Sequence, residues 1–496
     1  MDLNEIRREI DAIDEQLVRL FCQRMDCSRR VAEYKKANGL PVYVPAREQA
    51  ILEKLEQAAG SDFGPSVRAL YGHIFEISRA YQHDRNGTRP VCGLLGRKLG
   101  HSYSPQIHAS LGDYTYELFE KEPEELETFL REGPFTGLNV TIPYKKAVIP
   151  YLDALSPVAR RLGAVNTIVR RPDGTLYGHN TDYFGFRSMV ERSGLTVTGK
   201  KCLVLGSGGA SNTAVAVLQE LGAHVVIISR SGENNYDNLD RHSDAAVIVN
   251  TTPVGMYPHT DTSPVDLDGF PMLEGVLDVI YNPARTQLLL DAEARGIPCM
   301  NGLWMLVAQA KEAAEYFTGC AIPDARIADI HHSLRLQMEN IILVGMPGCG
   351  KSTIAAALAK KLNKTVVDSD SEIMALSLKT IPEIFLDEGE GSFRAWETEA
   401  LRGLGKRSGL IIATGGGCVT QARNYPLLHR NGTIFWLTRD LDKLPTDGRP
   451  LSQANRLSEM YAVRAPLYED FADHIIDNNG TIEETIRQIT DILEAK

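Results

Sequence analysis

The stretch Gly345-Met-Pro-Gly-Cys-Gly-Lys-Ser-Thr353 has the residue types and spacing to hold phosphate. Its first and last glycines enclose four residues, and Lys351 and Ser352 follow directly. Backbone N–H groups from Gly348, Cys349, Gly350, Lys351, Ser352 and Thr353 can curl around phosphate oxygens at a helix N-terminus. Lys351 then reaches the β- and γ-phosphates, and Ser352 ligates Mg²⁺, which implies ATP as a co-substrate. Further on, Thr365–Val367 reads as a strand ending in Asp368-Ser-Asp370. Alternate residues of a strand share a face, so both carboxylates are expected at the site. One would hold Mg²⁺ through water and the other would take a proton from an acceptor hydroxyl. Arg394 and Glu397 are neighbours at i,i+3 on a helix. Thr414-Gly-Gly-Gly417 lets a ligand approach the backbone, and Arg449 and Arg464 add cations.

A second set of groups lies in the middle of the chain. Gly100-His-Ser-Tyr-Ser-Pro105, Asn139-Val-Thr-Ile-Pro-Tyr-Lys145, Gly163-Ala-Val-Asn166 and Asn180-Thr-Asp182 are short polar clusters at strand-to-loop junctions. The hydroxyls of Ser102 and Ser104 suit a carboxylate or polyol. Lys145 and Asp182 form a proton-transfer and orienting pair suited to ketone/alcohol interconversion. The turn Gly206-Ser207-Gly208-Gly209-Ala210 follows the strand 201–205 and precedes a helix predicted over 213–221. The next strand, 224–228, ends at Ser229-Arg230-Ser231, with an arginine and no acid. That combination suits the 2′-phosphate of NADP(H) rather than the bare ribose of NAD.

A third set lies in the first helix. Arg24 and Lys35 are eleven residues apart, three helical turns, and share a face. Arg7 lies about 100° round from Arg24 and is placed to serve a partner's site.

The elements that must position these groups divide the chain in three. Over 1–88, Leu3, Ile6, Ile10, Ile13, Leu17 and Leu20 recur at spacings of three and four, an amphipathic helix with a coiled-coil-like stripe. Gly39 and Pro41 end it, and further helices are expected over 45–58 and 66–83. A lone rod about 50 Å long needs a partner, which predicts a homodimer through the N-terminal helices. From 89 the pattern alternates strand and helix, as in α/β folds. A substrate lobe is expected over about 89–190 and a Rossmann-type nucleotide lobe over about 191–300, with helices returning to 334. The remainder, 335–496, reads as an α/β P-loop domain. His331 and His332 read as surface residues, with no companion ligands at metal spacing.

Composition sets outer limits. The apolar fraction of 43% supplies ordinary cores, and a net charge of −11 argues against broad nucleic-acid binding. Eight scattered cysteines without a C-x-x-C pair point to a reducing cytoplasm. Apolar runs such as 225–228 and 341–344 are strand-length, too short to span a membrane.

Each segment resembles a known family. Ile6-Arg-Arg-Glu-Ile-Asp-Ala-Ile-Asp-Glu15, Arg24-Met25, Val31–Lys35 and Arg47-Glu48 are similar to the all-helical chorismate mutases. That resemblance implies that Arg7, Arg24, Lys35 and Arg47 hold the carboxylates and ether oxygen of chorismate, with Glu48, Ser78 and Gln82 as polar members of the site. Val44 stands where that family carries an Asp. The middle motifs, with Asn250–Met256, Asp278–Pro283 and Gly302–Gln309, resemble shikimate dehydrogenase. This implies NADPH reduction of 3-dehydroshikimate, with Ser102, Ser104, Thr141, Asn166, Asp182 and Gln309 on the substrate and Lys145 transferring the proton. Tyr281 would lie near substrate and nicotinamide. The last segment resembles shikimate kinase, which implies Mg²⁺ on Ser352 and Asp368. It also implies shikimate on Asp370, Arg394, Gly416 and Arg464, with Arg449 as lid cation. The whole reads as a trifunctional enzyme of aromatic biosynthesis. The alternative is a bifunctional dehydrogenase–kinase with a non-catalytic dimerising or regulatory head.

Overall fold

The computed structural model describes residues 2–38, 40, 42, 44–86, 89–100, 102–444 and 454–495. They form two compact units: Met1–Phe184 with Gln309–Arg326, and Gly185–Ala308 with Ile327–Lys496. The predicted helix stops Gly39 and Pro41, and the lid cation Arg449, lie outside the described residues.

In the first unit, helix Leu3–Ala37 begins at Asp2, whose side chain accepts from the Asn4 N–H. This caps a donor that has no partner within the helix. Leu3, Ile10, Ile13, Leu17 and Leu20 are all at least half exposed, at 50–60%. The predicted stripe is therefore present but uncovered within the single chain. The two helices expected next are both present within Pro45–Asn86, separated by a break at Gly60, where φ is +73°. Glycine adopts that conformation without a Cβ clash, so the chain bends and continues. Arg68 bridges the bend to Glu56 at 2.7 Å.

The substrate lobe in the same unit is built on a six-stranded sheet. Its spatial order is Thr115–Glu120, Val91–Gly96, Gly137–Val140, Thr167–Arg170, Leu176–His179, Ala154–Leu155. The first three strands are mutually parallel, and Thr167–Arg170 runs antiparallel to both neighbours. Leu95, Leu138, Val140 and Ile168 centre its core.

The second unit contains two parallel sheets. The first orders Cys299–Met300, Gly275–Asp278, Val247–Asn250, Lys201–Leu205, His224–Ile228. Chain order reverses between Val247–Asn250 and Lys201–Leu205, so a crevice opens at the carboxyl ends of those strands. The second sheet orders Thr365–Asp368, Leu410–Ala413, Asn340–Val344, Gly432–Thr438, His474–Asp477. Its central strand, Asn340–Val344, is buried throughout and delivers the glycine loop to the sheet's carboxyl edge. A run of branched apolar residues buried on both faces is what a central parallel strand requires.

Helix Ala325–Met338 leads into this sheet. His331 on it is not a surface residue as expected. It is half-buried against Trp304, ring centroids 5.3 Å apart, and burial pushes its imidazole down to about 4. No described helix is long and apolar enough to cross a membrane.

Candidate active sites

The substrate lobe brings its predicted proton-transfer pair together. Lys145 Nζ lies 2.6 Å from Asp182 Oδ2, with both side chains largely shielded. Asp182 opens helix Asp182–Ser193, where the helix N-terminus favours a carboxylate. The Lys145 carbonyl accepts from the Val165 N–H at 2.7 Å, which fixes the turn that carries the lysine. Asn166 clamps the residue before Asp182. Its Oδ1 accepts from the Thr181 N–H at 2.7 Å, and its Nδ2 donates to Thr181 Oγ1 at 3.1 Å. Thr181 Oγ1 in turn donates to Gln309 Oε1 at 3.4 Å. Ser102 Oγ accepts from the buried Ser104 N–H at 3.2 Å. Thr141 stands beside Gly96, where a Cβ would come within 2.9 Å of its methyl group.

Two supports of this lobe escaped the sequence reading. Asn139 Nδ2 donates to Thr167 Oγ1 at 3.3 Å, and Asn139 Oδ1 accepts from the Tyr116 hydroxyl at 2.8 Å. Asn139 belongs to the Asn139–Lys145 cluster, so its signal was present. Tyr116 lies on a neighbouring strand and gave none.

In the nucleotide lobe, Gly206 has φ +109°, and a Cβ there would lie 3.0 Å from Thr251 Oγ1. Helix Gly209–Glu220 starts four residues earlier than expected, with Gly208 at its N-cap and no side chain capping it. Ser207 precedes that cap, and Ala210 lies in the first helical turn. A Cβ at Gly208 or Gly209 would meet nothing within 4 Å. Uncapped N–H groups facing open space fit a pyrophosphate. The Ser229 N–H donates to the Asn234 carbonyl at 3.1 Å, closing the loop that carries Arg230 and Ser231. Arg230 is near enough to Tyr236 for its charge to lower that hydroxyl's pKa, against a larger upward push from burial. Beside the crevice, buried Asp278 accepts from Asn250 Nδ2 (3.1 Å), the Ile280 N–H (3.0 Å) and Thr286 Oγ1 (2.7 Å). Burial lifts its carboxyl to about 6. The loop after Asp278 carries half-buried Tyr281.

The P-loop takes its shape from Gly345, Gly348 and Gly350, all with positive φ. Helix Lys351–Leu362 begins at the lysine itself, with Ser352 and Thr353 exposed in its first turn. Lys351 Nζ donates to the carbonyls of Gly345 and Met346, at 2.9 and 3.0 Å, folding the lysine over the loop. Buried Asn478, unpredicted, donates to the Cys349 carbonyl at 2.6 Å and accepts from Thr485 Oγ1 at 2.8 Å.

The two aspartates do not sit on one strand face as expected. Asp368 ends the strand, and Asp370 lies in the first turn of helix Ser369–Ser377. Asp368 Oδ1 accepts from the Asp370 N–H at 2.9 Å, so Asp368 is a helix cap. Its carboxylate stops the strand and starts the helix. Asp370 nevertheless points inward, and its Oδ1 is buried without a hydrogen-bond partner. Burial and then Asp368 raise its pKa, against Lys351 and Arg394. Arg394 pairs with fully buried Glu397 at 2.8 Å, while Glu397 Oε1 is also unpartnered. The glycine run packs against this cluster. A Cβ at Gly415 would lie 2.9 Å from Asp370 Oδ1, and one at Gly417 would collide with the Arg394 guanidinium. Gly416 offers its carbonyl to Arg464 Nη1 at 3.2 Å and to the Tyr468 hydroxyl.

In the helical head, Arg24, Lys35 and Glu48 converge. Burial raises the Glu48 pKa, opposed by the charges of Arg79, Lys35 and Arg24, and burial lowers that of Lys35. Arg79, missed in the sequence, forms an ion pair with Glu48. Gln82 Nε2 donates to Ser78 Oγ at 3.2 Å, and Ser78 shares a hydrogen bond with Ser28 at 2.7 Å. Arg24 Nη1 and Gln82 Oε1 are buried without hydrogen-bond partners. Orphaned polar atoms of this kind have hydrogen-bonding capacity to offer water or a ligand. Arg7 and Arg47 are exposed.

Three family models match the chain. They describe chorismate mutase type II over residues 6–83, the shikimate dehydrogenase substrate binding domain over 94–168, and shikimate kinase over 347–494. A shikimate dehydrogenase (NADP(+)) of Clostridium perfringens is 36% identical over 266 residues, 49% of this chain and 97% of that protein. One of Geobacillus kaustophilus is 37% identical over 256 residues, 46% of this chain and 92% of that protein. A solved chorismate mutase/shikimate 5-dehydrogenase fusion protein from Clostridium acetobutylicum is 36% identical, with TM-score 0.47, over 50% of this chain and 97% of that one.

Proposed function

We propose how this chain works from its membership of the shikimate dehydrogenase family, with a chorismate mutase type II domain before that part and a shikimate kinase domain after it. It is a three-domain enzyme of the shikimate pathway. Our reading assigns 1–88 to the mutase, 89–334 to the dehydrogenase and 335–496 to the kinase. The observation that carries the residue assignments is the kinase pocket, where Arg394 flanks two buried, unpartnered carboxylate oxygens beside the glycine run. Such a pocket awaits a ligand carrying both a carboxylate and hydroxyls.

In the dehydrogenase, Ser102, Ser104, Thr141, Asn166 and Gln309 bind 3-dehydroshikimate. Lys145 gives its proton to the ketone oxygen as that oxygen gains charge, and Asp182 holds the ammonium group in place. The uncapped turn at Gly206–Ala210 receives the pyrophosphate of NADP(H), and Ser229, Arg230 and Ser231 receive the 2′-phosphate. The cofactor supplies the hydride. Tyr281 closes the site on the nicotinamide side.

In the kinase, Arg394 and Arg464 hold the shikimate carboxylate, and the Gly416 backbone lies against the ring. Asp370 takes the proton of the attacking hydroxyl, while Lys351 and the N–H groups of 348–353 offset phosphate charge. Ser352, exposed at the helix start, and Asp368 would hold Mg²⁺ largely through water, and the ion would neutralise ATP phosphate charge. Arg449 serves the transferring phosphoryl group.

In the head, Arg24, Lys35, Arg47, Glu48, Ser78 and Gln82 fix chorismate in its reactive conformer, which is all a pericyclic rearrangement requires. Arg7 reaches the site of a second copy. The exposed stripe Leu3–Leu20 supports a homodimer, since an apolar row of that length is normally covered. The protein works in the cytoplasm on small molecules, without nucleic acid or membrane as partner.

The purified chain, given 3-dehydroshikimate, NADPH, ATP and Mg²⁺, should yield shikimate 3-phosphate, and given chorismate should yield prephenate. Absence of prephenate with the other two reactions intact would leave the head as a binding and dimerising module. Ile13→Glu with Leu17→Glu should give monomers in sedimentation and abolish prephenate formation. A dimer persisting in that variant would remove the stripe from the interface.

A further inference from the structure

We propose that the kinase domain is a positioning element of the dehydrogenase, clamping the two loops that border the nicotinamide side of the cofactor crevice. The inference rests on the reading of that crevice as the NADP(H) site. The loops follow strands Val247–Asn250 and Gly275–Asp278 at their carboxyl ends. They are tied to one another: Asp278 accepts from Asn250 and from Thr286, and a Cβ on Gly255 would lie 3.1 Å from Thr286 Cβ.

The kinase grips both. Arg430, at the turn between helix Asn424–His429 and strand Gly432–Thr438, has a side chain only 5% exposed. Its side chain makes three hydrogen bonds to the dehydrogenase. Nη1 donates to Thr260 Oγ1 and Asp261 Oδ1, each at 2.7 Å, and Nη2 donates to Gln287 Oε1 at 3.0 Å. A second kinase arginine, Arg402, reaches the other Asp261 oxygen at 3.1 Å. The dehydrogenase reciprocates. The Arg285 N–H donates to the Arg430 carbonyl at 2.9 Å, its Nη1 to the His429 carbonyl at 2.9 Å, and the Ala284 N–H to Asn431 Oδ1 at 2.8 Å.

Tyr281, which the same reading puts beside the nicotinamide, shares a cavity of about 280 Å³ with kinase residues Ser408 and Asn431. A kinase needs none of these bonds for phosphoryl transfer, and an arginine buried in another domain's loops orders those loops. Loops of this kind are mobile unless packed, and cofactor affinity falls when binding must order them first.

The test uses the full-length chain with Arg430→Ala and, on the dehydrogenase side, Asp261→Ala. Hydrogen exchange of 251–256 and 279–287 without ligand should quicken about tenfold, and the NADP⁺ Kd by calorimetry should rise about tenfold. Kinase kcat should stay within about twofold. Arg430→Lys, which cannot span three acceptors, should fall between. Unchanged exchange and Kd in Asp261→Ala would overturn the proposal. So would reduced calorimetric stoichiometry with an unchanged Kd, which marks unfolding alone. Asp261→Ala decides the outcome if Arg430→Ala does not fold. A wild-type chain that binds no NADP⁺ would instead sink the cofactor assignment.

Discussion

The dehydrogenase substrate lobe and the kinase acceptor pocket both hold charge out of water, and they settle it differently. In the substrate lobe the charges neutralise each other in advance. Lys145 sits on Asp182 at 2.6 Å, and Asn166 is locked to Thr181 by two hydrogen bonds. In the kinase pocket Arg394 pairs with one oxygen of Glu397, while Glu397 Oε1 and Asp370 Oδ1 are buried without partners. A proton donor must stand in one place when hydride arrives, so a pre-paired lysine serves that chemistry. On the proposed assignment, an acceptor site for a carboxylated polyol keeps its hydrogen-bonding capacity open for the ligand. The first arrangement would favour geometry, and the second would give up stability for binding.

The largest effect expected from this contrast is at the pre-formed pair. Lys145→Ala should lower dehydrogenase kcat by about 10³-fold while leaving shikimate affinity there within about threefold. Retained wild-type turnover would remove Lys145 from proton transfer. Next, Arg394→Ala should raise the kinase KM for shikimate by about 30-fold and the KM for ATP by no more than about threefold. Equal rises would mean the arginine does not read the acceptor.

The stability cost is a smaller effect. The Asp370 pKa is raised in the folded state, so its contribution to stability is fully present below the unfolded pKa and is lost as pH rises through the folded one. Asp370→Asn should therefore stabilise the kinase at neutral pH by about 1 kcal/mol, with the gain vanishing in acid. Calorimetric melts at both pH values check this, and destabilisation at neutral pH would contradict it. The smallest effect is kinetic. The acid limb of kinase kcat/KM should lie above the ordinary aspartate value of about 4. A limb at or below that value would mean that Asp370 is not the base.

What the sequence disclosed follows the range of each interaction. Motifs that place several groups within a few residues were legible: the P-loop, the cluster ending in Lys145, the Arg394/Glu397 spacing. Partners far apart in the chain were not. Asn478 is 129 residues from the P-loop carbonyl it holds, and Arg430 is 169 from Asp261. Arg79 meets Glu48 only because the chain turns back at Gly60, and a helical period shows that two helices exist but not the angle between them. The Asp368–Asp370 misreading was local. Period-two alternation was extended one step beyond the strand, although an Asp ahead of Ser-Asp-Ser-Glu also carries a helix-cap signal. The exposed stripe of the head was legible because its spacing is regular, even though a single chain leaves it uncovered.

The most direct test of three separate sites on one chain is a matrix of three single variants against three reactions, measured on the full-length protein with NADPH and NADH compared. Lys145→Ala should abolish only 3-dehydroshikimate reduction, Arg394→Ala only shikimate phosphorylation at low shikimate, and Arg24→Ala only prephenate formation, with NADPH preferred. Wild-type reduction in Lys145→Ala, or prephenate formed at the wild-type rate in Arg24→Ala, would contradict the account.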